Sequence, residues 1–241
     1  MMPPDRRSAL VLRPEPGNAA TAARLTAAGI VAHRLPLFAV RPLAWSVVDP
    51  AHYDALLLTS ANAVRHAGPM LAHLAHLPVV AVGAATAAAA REAGLRVLLV
   101  GTADAAAVVA RAHADGLHRL LHLSGRDRAS AMPKVPGEGT VDPVAVYASD
   151  ALPVAPDRLA AHAGAVALLH SARAARRFAT LIDAADQARG GWALAALSHS
   201  VAAAAGTGWE DVLIAARPDD DALIAALLGR NRRQPVEAPP D

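Results

Sequence analysis

The sequence has no cysteine, a single lysine (Lys134) and only seven aromatic residues among its 241 residues. Without cysteine the chain forms no disulfide, thiolate metal site or iron–sulfur centre, and it has no cysteine nucleophile. Because no basic stripe alternates with aromatic residues, nucleic-acid binding is not predicted. An apolar share of 54% beside 18% charged residues excludes a disordered chain.

The common catalytic signatures are also missing. The sequence contains no GxGxxG, GxxxxGK[ST], HExxH or GxSxG motif, so neither a cofactor nor a metal is predicted. His73 and His76 have helical spacing, but no acidic residue accompanies them, and a half-buried helix face explains them better than a metal. The longest uncharged stretches, 73–90 and 192–209, consist largely of alanine and are broken by glycine, serine or histidine. No membrane segment is therefore predicted, and a cytoplasmic location is expected.

Short apolar runs alternate with alanine-rich helical segments along the chain. The runs predict strands at 9–12, 55–58, 79–82, 97–100, 120–123, 166–169, 193–197 and 212–215. The segments between them predict helices at 19–28, 62–76, 84–93, 103–114, 172–185 and 220–228, several of them closed by glycine (Gly29, Gly94, Gly116 and Gly229). Strands that are apolar on both faces belong in a covered parallel sheet, so the pattern predicts a doubly wound α/β architecture.

The order of these features repeats. TSANAVR at 59–65 is echoed by HSARAAR at 170–176, VGAAT at 82–86 by LSHSV at 197–201, and Arg13 by Ser124. These echoes come in one order at a separation of about 111 to 115 residues, which predicts two similar halves. Strand-like stretches at 36–40 and 141–148 lie where a link between lobes would fall. The Pro-rich end, 230–241, is expected to be a disordered tail that holds the only dense basic spot, Arg230, Arg232 and Arg233.

Small polar residues follow the predicted strands, where open α/β sheets bind ligands. The residues at these positions are Arg13, Thr59, Ser60, Asn62, Gly83, Thr86, Ser124, Gly125, Ser171, Ser198 and Ser200. Helix capping alone explains each serine, threonine or asparagine taken singly. Together, however, these helix starts would line one cleft between two facing lobes, and helix starts bind anions. The sequence therefore predicts a polyanionic small-molecule ligand.

Several short segments, taken in order, resemble the uroporphyrinogen-III synthase family of tetrapyrrole biosynthesis. They include LRPEP at 12–16, DALLLTSAN at 54–62, VAVG at 80–83, VAVY at 144–147, LLHSAR at 168–173 and AARP at 215–218. The resemblance covers about residues 10–228. It implies two flavodoxin-like α/β lobes joined by a two-stranded linker, with the first strand completing the lobe built by the C-terminal half. One lobe would comprise 1–36 and 148–241, and the other 40–143.

The resemblance implies a cofactor-free lyase that closes linear hydroxymethylbilane into uroporphyrinogen III, inverting ring D with loss of water. This polycarboxylate substrate is reactive by itself and cyclises spontaneously to the wrong isomer, so the enzyme must above all hold the chain correctly. The departing hydroxyl needs a proton donor, and the resulting azafulvene is cationic. The resemblance also admits a transient contact with the enzyme that produces hydroxymethylbilane.

The resemblance assigns roles to four residues. Tyr147 matches the family's tyrosine near the cleft, proposed to assist departure of the hydroxyl, although an aromatic packed between the lobes is the alternative. Thr86 matches the family's threonine after the VG turn, and Ser60 the serine of its TS motif. Arg13 matches the first-strand arginine, which is either a carboxylate partner or half of a structural ion pair with Glu15 or Asp54.

The second-half turn departs from the family pattern. The family's threonine falls on Val201, and Ser200 precedes it by one place. Either Ser200 supplies the hydroxyl, or backbone amides alone hold the ligand. This departure leaves two alternatives open beside the enzyme: a two-lobed anion-binding protein without chemistry, and an inactive relative of the same fold.

Overall fold

The computed structural model describes residues 8–46, 49–101, 105–129 and 139–233, with backbone only at 128–129 and 231–233. These residues separate into two compact units. The first unit comprises the chain up to Ala39 and from Ala151 onward, and the second comprises Val40–Asp150. Within the described ranges, no helix has the length and apolar character needed to cross a membrane.

The chain alternates strands with helices along most of its described length. The strands are β1 (Ser8–Val11), β2 (Val31–Arg34), β3 (Phe38–Pro42), β4 (Ala55–Leu58), β5 (Val79–Ala81), β6 (Val97–Val100), β7 (Arg119–Gly125), β8 (Thr140–Ala151), β9 (Val166–Leu169), β10 (Ala193–Ala196) and β11 (Asp211–Ile214). The helices are α1 (Gly17–Ala27), α2 (Ala61–His66), α3 (Ala84–Glu92), α4 (Ala105–Ala114), α5 (Arg126–Ala129), α6 (Pro156–Ala160), α7 (Ala172–Ala184), α8 (His199–Ala204) and α9 (Asp220–Arg233). Short 3₁₀ segments lie at Pro50–His52, Gly68–Leu74 and Arg189–Gly191.

The sheet of the first unit has the strand order β11-β10-β9-β1-β2, and its strands pair in parallel. Strand β1, from the start of the chain, hydrogen-bonds β9 on one side and β2 on the other. From β1 the chain moves outward to β2, and from β9 it moves outward in the opposite direction to β10 and β11. The strand order therefore reverses between β1 and β9. In sheets of this kind, ligands bind at the carboxyl ends of the two strands that flank the reversal.

The sheet of the second unit has the order β3-β8-β7-β4-β5-β6, in which β8, β7, β4, β5 and β6 pair in parallel. Its strand order reverses between β4 and β7. The repeated motifs follow β4 and β5 in this unit and β9 and β10 in the first. When those strands are matched, β8-β7-β4-β5-β6 corresponds strand for strand to β2-β1-β9-β10-β11. The two sheets thus share one order of corresponding strands.

Alternate residues of each central strand pack into apolar clusters on opposite faces of the sheet. In β1, Leu10 belongs to one cluster and Val11 to the other. In β4, Leu56 and Leu57 are divided in the same way. All four are fully buried, as strands covered by helices on both faces must be. The predicted α/β class with parallel sheets is confirmed.

Some predicted boundaries are wrong. The helix predicted at 62–76 ends at His66 and is followed by the 3₁₀ segment Gly68–Leu74. Gly68 adopts a φ of +68°, and Pro69 has no amide hydrogen to continue the helical ladder. Strand β2 was not predicted, because Val31–Arg34 is a partly exposed edge strand without a continuous apolar run.

The last helix runs through Gly229, its predicted end, and continues to Arg233. Arg230 is 6% exposed. Its Nε lies 3.1 Å from a carboxylate oxygen of Asp211, and its Nη2 lies 3.3 Å from one of Glu210. These ion pairs tie the helix to the start of β11, so the expectation of a disordered tail is wrong for residues 230–233. Residues 234–241 of the predicted tail lie outside the described residues.

Candidate functional site

Two side chains meet at the strand reversal of the first unit. Arg13 follows β1 by two residues, and His170 directly follows β9. Arg13 Nη1 lies 3.2 Å and His170 Nε2 lies 3.1 Å from the same oxygen, Oδ1 of Asp220. Because Asp220 is the first residue of α9, three elements converge on one carboxylate at the ligand-binding edge of this sheet.

The Asp220 carboxylate is largely buried, with 12% of its side chain exposed. Its second oxygen accepts a hydrogen bond of 2.8 Å from Thr21 Oγ1. Burial favours the neutral acid, but hydrogen bonds from His170 and Thr21, with the charges of His170 and Arg13, outweigh it and lower the pKa of Asp220 to about 2. Asp220 is therefore ionised at neutral pH.

The predicted partners of Arg13 are wrong, because its ion pair is with Asp220. Glu15 pairs instead with Arg34 and accepts from the amide of Ala19. Asp54 lies in the second unit and accepts hydrogen bonds from the backbone amides of His118 and Arg119. The partner comes instead from the acidic run at 219–221, at the start of the last helix.

One edge of the Arg13 guanidinium remains available. Among the described residues, no group hydrogen-bonds its Nε or Nη2, and 34% of the side chain is exposed. The face of the guanidinium lies against the backbone of Gly17, where a Cβ atom would stand 2.6 Å from Nε, 2.8 Å from Cζ and 2.9 Å from Nη2. Only glycine leaves room for this approach.

Sequence analysis missed Asn18, which fixes the turn between β1 and α1. The side chain is fully buried. Its amide nitrogen donates hydrogen bonds of 2.8 Å to the carbonyls of Val11 and Arg13, and its oxygen accepts one of 3.0 Å from Arg34 Nε. These bonds position the backbone from which Arg13 projects. The only sequence signal was a lone asparagine at the start of an alanine-rich helix.

The predicted serines of the first unit begin helices. Ser171 Oγ accepts from the amide of Ala174 at the start of α7, and Ser198 Oγ accepts from that of Val201 at the start of α8. Both therefore act as N-caps. Ser200 is exposed, and its hydroxyl lies 3.0 Å from that of Ser198. Val201 is 8% exposed and packs in the core, so the position of the family's threonine offers no polar group here.

In the second unit, Thr59 follows β4 at the strand reversal. Its Oγ1 lies 3.0 Å from Nε2 of His122, a residue of the neighbouring strand β7. His122 is 1% exposed. The strand β7 is longer than predicted and carries His122 inside the sheet. The pair links the residue that follows β4 to the middle of β7, the other strand that flanks the reversal.

Tyr147 projects from β8 onto the end of β7. Its ring lies so close to Gly125 that a Cβ atom at that position would be 2.8 Å from it. Tyr147 is 7% exposed and packs in the core of the second unit, with the His66 ring 6.2 Å away. Burial, with a smaller contribution from the charge of Arg65, lowers the pKa of His66. Ser124, also predicted at this site, is 1% exposed, and its Oγ lies 3.4 Å from the carbonyl of Gly125.

The remaining predicted residues stand at the starts of α2 and α3. Ser60 is the N-cap of α2, and its Oγ accepts from the amide of Asn62 at 3.2 Å. Helix α3 begins after Gly83, which offers no side-chain cap, so the first amides of α3 have no capping oxygen. Thr86 lies in the same turn and is 7% exposed; in the described part of the chain, nothing hydrogen-bonds its hydroxyl.

Polar and cationic side chains thus lie near the carboxyl ends of strands in both sheets. The family model for uroporphyrinogen-III synthase HemD matches residues 19–225 of the chain. The chain belongs to the uroporphyrinogen-III synthase family. That family comprises cyclising lyases of haem biosynthesis. Arg13 precedes the matched region, and the other predicted site residues lie within it.

Solved structures of uroporphyrinogen-III synthases share this fold. The uroporphyrinogen-III synthetase of Helicobacter pylori is 15% identical with a TM-score of 0.62, over 92% of this chain and 99% of that one. A mutant uroporphyrinogen III synthase of Thermus thermophilus is 16% identical with a TM-score of 0.50, over 93% and 98%. No curated protein sequence matches the chain significantly.

Proposed function

We propose that this chain cyclises hydroxymethylbilane to uroporphyrinogen III and binds the substrate carboxylates at the carboxyl ends of its sheets. The observation that carries the residue assignment is the repeated helix start. Helices follow β4, β5, β9 and β10, and their N-caps are Ser60, Gly83, Ser171 and Ser198. A helix start attracts anions through its amides and the positive end of its dipole; a serine caps three of these four starts, and the start of α3 has no side-chain cap. A substrate with several carboxylates matches this repeated arrangement.

Arg13 and Thr86 are the proposed contacts of greatest specificity. Arg13 offers a carboxylate the two nitrogens, Nε and Nη2, on the free edge of its guanidinium. Thr86 offers a hydroxyl beside the uncapped amides of α3, so one carboxylate or the leaving oxygen finds several donors together. We also assign Thr59, Asn62, Ser124, Gly125 and Ser200 to substrate binding, as the sequence predicted; Ser124 and Gly125 are buried, and the other three are partly or fully exposed.

The first chemical step breaks the bond between carbon and the departing hydroxyl. The hydroxyl oxygen takes up a proton, water leaves, and a cationic azafulvene remains. We assign proton donation to Tyr147, whose ring is held against Gly125. The azafulvene then reacts through a spiro intermediate that inverts ring D. The chain's contribution to that inversion is to hold the reacting ends in the productive geometry.

The proposed division of the chain into two lobes follows the resemblance to the family. We propose lobes of 1–36 with 148–241 and of 40–143, linked at 36–40 and 141–148. The matching strand orders of the two sheets and the chain exchange near Ala39 and Asp150 support this division. The cytoplasmic location and the transient contact with the enzyme that supplies hydroxymethylbilane stay predictions.

The reaction is tested by following isomers. Freshly generated hydroxymethylbilane is mixed with the purified chain, and the products are oxidised and separated as uroporphyrin isomers. Formation of isomer III, absent with heat-denatured protein, supports the proposal. Formation of isomer I alone at the spontaneous rate would contradict it and favour an anion-binding protein or an inactive relative.

A further inference from the structure

We infer that Asp220 is a positioning residue, which holds the Arg13 guanidinium by one edge and leaves the opposite edge for a substrate carboxylate. The inference rests on the proposed function in one respect, namely that Arg13 binds the substrate. Asp220 is in none of the short segments on which the resemblance to the family rests. Its role follows from three observations in the first unit.

The first observation is the one-sided bonding of Arg13. Its Nη1 lies 3.2 and 3.3 Å from the two oxygens of Asp220 and 3.3 Å from Thr21 Oγ1. In the described residues, the other two guanidinium nitrogens have no hydrogen-bond partner. An exposed guanidinium edge satisfies its N–H groups with water, which a ligand carboxylate can replace, and 34% of the Arg13 side chain is exposed. The free edge is the part of Arg13 that can bind a ligand.

The second observation is the space that Gly17 leaves for the guanidinium. Gly17 is the first residue of α1, and any side chain there would overlap Nε and Nη2. The guanidinium therefore lies against the start of a helix of eleven residues, whose positive dipole end adds to its attraction for an anion.

The third observation is that the carboxylate is itself held rigidly. Asp220 Oδ1 accepts from His170 at 3.1 Å and Oδ2 from Thr21 at 2.8 Å. His170 has 5% of its side chain exposed. The next residue of α9, Asp221, provides a contrast: it pairs with Arg24 at 3.1 Å, with 78% of the Asp221 side chain exposed. Asp220, largely buried and hydrogen-bonded on both oxygens, is therefore the better anchor for a ligand-binding side chain.

The position of Arg13 and Asp220 in the sheet indicates what they bind. Arg13 and His170 leave the ends of β1 and β9, the strands that flank the reversal, which is the place where sheets of this type bind ligands. The ligand class is a carboxylate, because a guanidinium edge with two parallel N–H groups matches its two oxygens.

The test measures binding and turnover separately. The octacarboxylate uroporphyrin III serves as the binding probe, and hydroxymethylbilane as the substrate. Asp220→Asn removes the charge that holds Arg13, and Gly17→Ala displaces the guanidinium while leaving Asp220 in place. Both variants are expected to raise the Kd of the probe and the KM about tenfold, with kcat changed less than twofold. Gly17→Ala moves only the end of a flexible side chain, so it folds even if Asp220→Asn does not.

Asp221→Asn is the matched control, because it makes the same substitution in the adjacent, exposed ion pair; its Kd is expected to equal that of the unaltered chain. The double variant Arg13→Gln/Asp220→Asn is expected to bind the probe no more weakly than Arg13→Gln alone. Unchanged Kd in Asp220→Asn and Gly17→Ala, or fully additive losses in the double variant, would overturn the inference. If the unaltered chain forms only isomer I, the proposed function fails, while the Kd series still decides the role of Asp220.

Discussion

The buried Asp220 carboxylate makes a prediction about acid stability. Its pKa is lowered from 3.8 to about 2 in the folded chain, so folding favours the ionised form. A carboxyl group with a lowered pKa adds stability that is fully present above its unfolded pKa and is lost as the pH falls through its folded pKa. The shift corresponds to about 2 kcal/mol at pH 7, to about 1 kcal/mol at pH 3 and to less than about 0.5 kcal/mol at pH 2.

Asp220→Asn mimics the neutral acid and isolates this contribution. The free energy of unfolding of Asp220→Asn should be about 2 kcal/mol below that of the parent chain at pH 7, and the difference should shrink as the pH falls from 4 to 2. Urea titrations at each pH, followed by the fluorescence of Trp192 and Trp209, report on the core that contains these residues. A Trp45→Phe background removes the signal of the second unit.

The exposed pair supplies the reference for this experiment. Asp221→Asn should change the free energy of unfolding by less than about 0.5 kcal/mol at every pH, since solvent screens its ion pair with Arg24. A difference between the parent and Asp220→Asn that stays constant from pH 7 to pH 2 would refute the reasoning. So would an equal pH-dependent difference for Asp221→Asn.

Three further outcomes are expected. Tyr147→Phe should lower kcat at least about tenfold without lowering the melting temperature, and unchanged turnover would remove Tyr147 from the mechanism. Gly125→Ala should displace the Tyr147 ring, reducing kcat and shifting the tyrosine resonances in NMR spectra; unchanged resonances would disprove the close contact. Ser171→Ala should cost about 1 kcal/mol of unfolding free energy through loss of the bond to the Ala174 amide, whereas Ser200→Ala should cost less than about 0.5 kcal/mol; equal costs in urea titrations would argue against the capping role.

Most of the fold was predicted from the apolar runs of the sequence. Strands Ala55–Leu58 and Val166–Leu169 have their predicted bounds, because fully buried parallel strands need continuous apolar sequence. The partly exposed edge strand Val97–Val100 also has its predicted bounds, since its sequence is an unbroken apolar run. Prediction failed for elements whose existence or bounds depend on tertiary contacts. Edge strand β2 has a mixed sequence, and α9 extends past Gly229 because Arg230 finds carboxylates at the start of β11.

The sequence predicted where the candidate site lies but not which residues pair with one another there. Sequence order puts Arg13 and Ser171 at strand ends, since each follows an apolar run. The pairing of Arg13 with Asp220 joins residues far apart in the chain, and only the sheet order brings them together. The approach of Tyr147 to Gly125 likewise depends on the pairing of β7 with β8. Local pattern contains no information on either contact.

The most direct test of the central claim is the isomer ratio in a single turnover. With the chain in excess over freshly generated hydroxymethylbilane, every substrate molecule meets a binding site before it can cyclise in solution. The account predicts that uroporphyrinogen III is then the main product, detected as uroporphyrin III after oxidation. Isomer I as the main product, under conditions where uroporphyrin III still binds, would contradict it.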